Sequence, residues 1–154
     1  MNPYMKIAVE EALKGIANKE GGPFGAVVVC NGEIVSKGNN QVIMTHDPTA
    51  HAEVVAIRRA SEKLGRFDLS DCEIYSTCEP CPMCYSAIHW AKIPVLYYGA
   101  TRDDAEKAGF DDKYLYDVLQ GKTKDGRLNM KQIERDLCIE PFKQYEEDAN
   151  KQLY

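Results

Sequence analysis

Apolar residues at Met5, Val9, Ala12, Leu13 and Ile16 recur at helical spacing and predict an amphipathic helix over 3–18, stopped by Glu20-Gly21-Gly22-Pro23. A β-branched apolar run over 24–30 meets Asn31-Gly32, a pair suited to a type I′ turn, and then a shorter run over 33–37, which together predict a hairpin. Asp47 and Pro48 suit the cap and first position of a helix reaching about residue 63, with Val54, Val55, Ile57 and Leu64 on its apolar face. A strand over 72–77 follows, then a helix opened by Pro80 or Pro82 that carries Met83, Ala87, Ile88 and Ala91, then a buried strand over 95–99. Beyond residue 100 the pattern weakens: 114–119 and about 139–149 read as helices, 128–133 as a fifth strand. Strands linked through helices require parallel pairing, whereas the hairpin is antiparallel. The expected fold is therefore an α/β/α sandwich of three layers, a mixed five-stranded sheet with helices on both faces.

The 154 residues suit one domain spanning 1–154. No window is both apolar and long enough to cross a bilayer, which excludes a membrane span. Lys6, Glu10, Glu11 and Lys14 interrupt the first helix, unlike a secretory leader, so a cytoplasmic location is expected. The net charge of −5 counts against a nucleic-acid partner, whose binders carry basic surfaces. Six cysteines fall well below the ~8–10% of disulfide scaffolds, so clustered cysteines point to metal or catalysis.

Two segments hold that chemistry: Asp47-Pro-Thr-Ala-His51-Ala-Glu53 and Cys78-Glu-Pro80-Cys81-Pro-Met-Cys84. His51, Cys81 and Cys84 offer one imidazole and two thiolates, a donor set suited to one Zn²⁺ per chain with the fourth tetrahedral position left for water. Cys81 and Cys84 stand at i, i+3 and share a helix face. His51 and Glu53, at i, i+2, reach one ion only if their helix points its first turn at it. Two helix N-termini are therefore expected to converge on the metal, and their partial positive charge favours thiolate. Zinc with two thiolates and a neutral imidazole is formally neutral, which leaves Glu53 free as base and then acid. Hydrolytic deamination is the reaction implied. The alternative is a closed structural site with Cys78 as fourth ligand, which leaves Glu53 without a role.

His51, Glu53, Pro80, Cys81 and Cys84 match the His-x-Glu…Pro-Cys-x-x-Cys signature of the zinc deaminases. With Gly22-Pro-Phe-Gly-Ala26, Asn39-Asn40, Trp90, Ala108-Gly-Phe-Asp-Asp112 and the terminal Tyr154, the chain resembles the bacterial guanine deaminases over most of its length, least between 121 and 140. The resemblance implies a cytidine deaminase-like fold and conversion of guanine to xanthine and ammonia, with a zinc-activated water as nucleophile and Glu53 as proton shuttle. It implies that Asn40 hydrogen-bonds the base, that Asp112 contacts substrate and assists proton transfer, that Phe24 and Trp90 wall the pocket, and that Glu79 supports the metal ligands from behind. It further implies a homodimer in which segments of about 139–154 exchange, so that Tyr154 closes the site of the other subunit. Each residue also has an ordinary reading: Asn40 as a strand end, Asp112 or Asp111 as a helix cap, Phe24 and Trp90 as core, Tyr154 as a frayed terminus.

The tRNA adenosine deaminases share both zinc blocks almost residue for residue, but they bind a polyanion, and this chain is acidic, with Glu146, Glu147 and Asp148 in its tail. Cytosine deaminase is a lesser alternative that needs a smaller pocket. A non-enzymatic zinc scaffold is the alternative from outside enzymology.

Overall fold

The computed structural model describes residues 1–154. The Asn2 side chain accepts hydrogen bonds from the N–H groups of Tyr4 and Met5, both at 3.0 Å, and opens helix α1 (Pro3–Ala17). The apolar run forms β1 (Gly25–Cys30) and folds back as β2 (Glu33–Asn39) through Asn31 and Gly32, whose φ values of 51° and 79° are those a type I′ turn demands. Strand β3 (Cys72–Cys78) lies antiparallel on the other side of β1, and β4 (Val95–Ala100) runs parallel to β3. The sheet order is β2-β1-β3-β4.

Alternation along β1 splits the core. Val27 and Val29 face α1 and pack with Ala8 and Tyr75. Ala26 and Val28 face the opposite layer, formed by α3 (Ala52–Leu64) and α4 (Pro82–Trp90), and join Ala52, Ala56, Ala60, Ile74 and Ile88. The sheet is thus covered on both faces, as expected. No helix is long and apolar enough to cross a membrane.

Several boundaries depart from the sequence reading. The sheet has four strands and not five: 128–133 is irregular, and Leu128, Met130 and Ile133 stand exposed. An apolar alternation makes a strand only where an edge is available to pair with it. Helix α3 begins at Ala52, because Asp47 turns its carboxylate on the N–H and hydroxyl of Thr49 at 2.8 and 2.7 Å and closes a local turn instead of capping a helix. Ahead of it stands a short helix, α2 (Val42–Thr45). Another, α5 (Arg102–Lys107), starts at a reciprocal capping box between Thr101 and Asp104, a pattern legible in the sequence that the reading passed over. Then come α6 (Asp112–Leu119) and α7 (Arg135–Glu147), the latter starting before 139 and holding Pro141 inside it.

Two glycines set how closely the layers approach. A methyl group at Gly25 would overlap the Ala8 carbonyl of α1, and one at Gly38 would lie 2.5 Å from the Ala52 carbonyl of α3. Both obstacles are backbone, which cannot rotate away. Gly25→Ala is expected to destabilise the fold by at least about 3 kcal/mol, the top of the overpacking range, while Gly126→Ala, in open space, stays within about 0.5 kcal/mol. Chemical denaturation midpoints measure both, and a Gly25→Ala protein as stable as the parent would refute this packing.

Candidate active site

Helices α3 and α4 start at the same place. His51 is the cap residue of α3 and Cys81 that of α4, both with extended backbone, and Cys84 follows one turn into α4. His51 Nδ1 lies 3.5 Å from Cys81 Sγ and 3.5 Å from Cys84 Sγ. A tetrahedral zinc with nitrogen at about 2.0–2.1 Å and sulfur at about 2.3 Å spaces these donors by roughly 3.5 Å, so the three atoms fit that ion. Cys78 lies outside the group: its thiol points to the Thr101 carbonyl at 3.6 Å, and burial pushes it up to about 12. The geometry therefore leaves the closed four-ligand alternative without its fourth ligand.

The thiols already lean toward ligation. A hydrogen bond from Cys84, and then one from His51, hold the Cys81 thiol down at about 4, while Cys84, as donor, is pushed up. The same contact with Cys81 raises His51.

Glu53, in the first turn of α3, is 5% exposed, and desolvation raises its carboxyl above the ordinary value. Its Oε1 is 3.0 Å from the Ser76 hydroxyl, which also lies 2.8 Å from the Cys78 carbonyl. One hydroxyl proton serves two acceptors. When Glu53 is ionised Ser76 donates to it, and when Glu53 is protonated Ser76 turns to the carbonyl and accepts from the acid. Ser76 thus accommodates both protonation states.

A cavity of about 270 Å³ opens over this centre. Phe24 and Phe110 form one wall, edge to face with centroids 4.8 Å apart. Asn40 accepts the Val42 N–H at 3.1 Å through its side-chain oxygen, which fixes the amide and leaves its NH₂ group with no protein acceptor. Asp112 lines the cavity, half-buried and raised by that burial, whereas Asp111 points outward to Arg127 at 2.8 Å; neither side chain caps α6. Glu79 also borders the cavity but is fully engaged. Arg102 donates to its Oε1 from Nη2 at 2.6 Å and from Nε at 3.1 Å, and the Arg102 backbone N–H donates to Oε2 at 3.0 Å. This ion pair holds its carboxyl below the usual range. Arg102 in turn lies 3.6 Å over the Tyr116 ring, whose hydroxyl donates to the Pro80 carbonyl at 2.5 Å, bracing the loop that carries Cys81.

The structure brings together His51, Glu53, Cys81, Cys84, Asn40, Phe24, Asp112 and Glu79, but not Trp90 or Tyr154. Trp90 is 64% exposed and borders a separate groove, where the chain's own Tyr154 sits 6.0 Å from it and 6.3 Å from Phe67. Trp90 ends α4, whereas the site gathers at that helix's start, so it cannot wall the cavity of its own chain. The sequence reading missed Val42, Ile43, Pro48 and Ser76, and Phe110 entered it only as part of a motif. Val42 and Ile43 lie on α2, a four-residue helix that no periodicity announces, and the unrecognised turn at Asp47 concealed Pro48.

A covered sheet carrying three grouped metal-ligand donors, a buried free carboxylate and a small cavity fits a metal-dependent hydrolase. Residues 1–100 match the family model of the cytidine and deoxycytidylate deaminase zinc-binding region. The chain belongs to this family of hydrolytic deaminases. It is 42% identical to the guanine deaminase of Bacillus subtilis over 98% of this chain and 97% of that one, and the crystal structure of that enzyme superposes with a TM-score of 0.92, covering 100% and 99% of the two chains. It is 41% identical to a tRNA-specific adenosine deaminase of Agrobacterium fabrum over 63% of each chain. A guanine deaminase structure from Nitrosomonas europaea matches with a TM-score of 0.67 and 34% identity over 72% of this chain and 65% of that one.

A carboxyl raised by burial binds its proton more tightly folded than unfolded, so ionisation of Glu53 opposes folding. That penalty is absent below the ordinary value of 4.5 and grows as pH rises above it. In metal-free protein, Glu53→Gln is expected to raise the denaturation midpoint at pH 7 and leave it unchanged near pH 4. A variant less stable than the parent at pH 7 would contradict the assignment.

Proposed function

We propose that this chain is a guanine deaminase, converting guanine and water to xanthine and ammonia, with His51, Cys81 and Cys84 holding one zinc ion. The observation that carries the substrate is the full-length likeness to the Bacillus subtilis enzyme, which continues through residues 101–154, past the zinc-binding region shared with other deaminases. Zinc, when bound, supplies an activated water as nucleophile at neutral pH by lowering that water's pKa to about 7.

The chain's own residues do the rest. Glu53, buried and raised, takes one proton from the attacking water and delivers it to the adjacent ring nitrogen, then takes the second proton, from the hydroxyl now on the ring carbon, and delivers it to the departing amine. Asn40, with its oxygen occupied by Val42, presents two donors to an acceptor edge of the base. Phe24 and Phe110 stack against the purine face and exclude water. Asp112, in the lining of the cavity, contacts the bound base and assists proton transfer. Glu79 keeps the Cys81 loop rigid through Arg102 and takes no part in proton transfer.

We further infer that the protein is a homodimer of single-domain chains, in the cytoplasm, where thiols stay reduced. No residue of α7 is buried, and Leu137, Phe142 and Leu153 are exposed, an apolar tail that the chain's own body leaves uncovered. The last residues, 139–154, would dock on a second copy, where Tyr154 would close the active site of the other subunit.

Ammonia release from guanine, cytosine, adenine and an adenosine-containing tRNA stem-loop tests the substrate. Guanine alone is expected to react, and Glu53→Gln to keep its zinc while losing at least ~10²–10⁴ in turnover. Release from the stem-loop instead would move the chain to the tRNA deaminases, and unchanged turnover in the variant would remove Glu53 from the mechanism. Deleting 139–154 is expected to give a monomer by light scattering; an unchanged dimer would refute the role of the tail.

A further inference from the structure

We propose that Cys30, Asp71 and Cys72 form a second metal site, remote from the first, that takes a thiophilic divalent cation such as zinc. Cys30 ends β1 and Cys72 begins β3, and the two are paired across the antiparallel ladder, so their side chains leave the sheet on the same face. Asp71 immediately precedes β3 and turns its carboxylate between the two sulfurs. Cys30 Sγ lies 3.3 Å from Asp71 Oδ2, and Cys72 Sγ lies 3.5 Å from Asp71 Oδ1. The three donor atoms all lie within 4.8 Å of one another.

Donor chemistry selects the ion. Two thiols and one carboxylate suit zinc or cadmium, whereas calcium and magnesium require oxygen alone. Charge agrees with that selection. Arg66 pairs with Asp71 at 2.9 Å, so two thiolates, a carboxylate, a guanidinium and a divalent cation sum to neutrality. Access is open as well: Cys72 is buried, but Cys30 is half-buried and Asp71 exposed, leaving room for a water as fourth ligand.

The catalytic centre uses none of these residues. It gathers beyond Cys78, at the end of β3 opposite Cys72. An ion here would clamp the end of β1 to the start of β3, the strand that leads into the Cys78–Cys84 loop, and would serve stability rather than turnover.

Zinc analysis after equilibration with excess metal and gel filtration tests the site. About two equivalents per chain are expected in the parent protein, and about one in C30S/C72S, which should deaminate as fast as the parent. Cobalt adds a spectroscopic signature: its thiolate charge-transfer absorption is expected to survive in C81S/C84S and to lose that component in C30S/C72S. Because Cys72 is buried, Cys30→Ser alone serves as a milder variant, expected to weaken the second equivalent by roughly 100-fold or more. A single equivalent in the parent, or a second one that persists in C30S/C72S, would overturn the proposal. So would recovery of Cys30 and Cys72 as a disulfide with no second ion.

Discussion

The site depends on one constraint, that two helices begin at the same point. A helix start carries unpaired N–H groups and a partial positive charge, and here two of them face a cluster of thiols that must ionise to bind a cation. Cap positions also free the ligands from the helical repeat. His51 and Cys81 have extended backbone and can turn inward, which Glu53, two residues beyond His51, exploits by reaching the same centre from the first turn. The convergence holds only because α3 lies tight on the sheet, with Ala52, Ala56 and Ala60 wholly buried and Gly38 giving its backbone room.

A buried carboxylate beside a metal is costly to the fold and useful to the reaction. Desolvation raises Glu53 and so opposes its ionisation, yet in the proposed mechanism a base that holds its proton firmly is the better acceptor from an activated water. Ser76 reconciles the two states by changing its hydrogen-bond partner. Glu79, in the lining of the same cavity, shows the contrary solution: it is bound by Arg102, held below the usual carboxylate range, and thereby kept for structure. Two carboxylates at the rim of one cavity acquire different tasks from their neighbours alone.

The helices and strands up to residue 100, the short α2 apart, were legible because each carries its own periodicity and stop signals. The grouping of His51, Cys81 and Cys84 beside Glu53 was legible because spacing and donor chemistry restrict them jointly. What escaped has physical causes. Asp47 and Pro48 are as suitable for a turn as for a cap, and only the hydrogen bonds to Thr49 decide between them. The alternation at 128–133 resembles a strand, but pairing is a tertiary event that local pattern cannot supply. The position of Trp90 depends on which end of α4 meets the cavity, and Phe110 reaches it across the fold to meet Phe24, contacts that no spacing rule encodes.

The central claim is a metal held by one nitrogen and two sulfurs with one place left open for water. Zinc-edge X-ray absorption on the C30S/C72S protein loaded with a single equivalent, where His51, Cys81 and Cys84 alone supply the donor group, tests it most directly. The account predicts two sulfur scatterers at about 2.3 Å and two nitrogen or oxygen scatterers at about 2.0–2.1 Å. Three sulfurs would bring Cys78 into a closed structural site and contradict it.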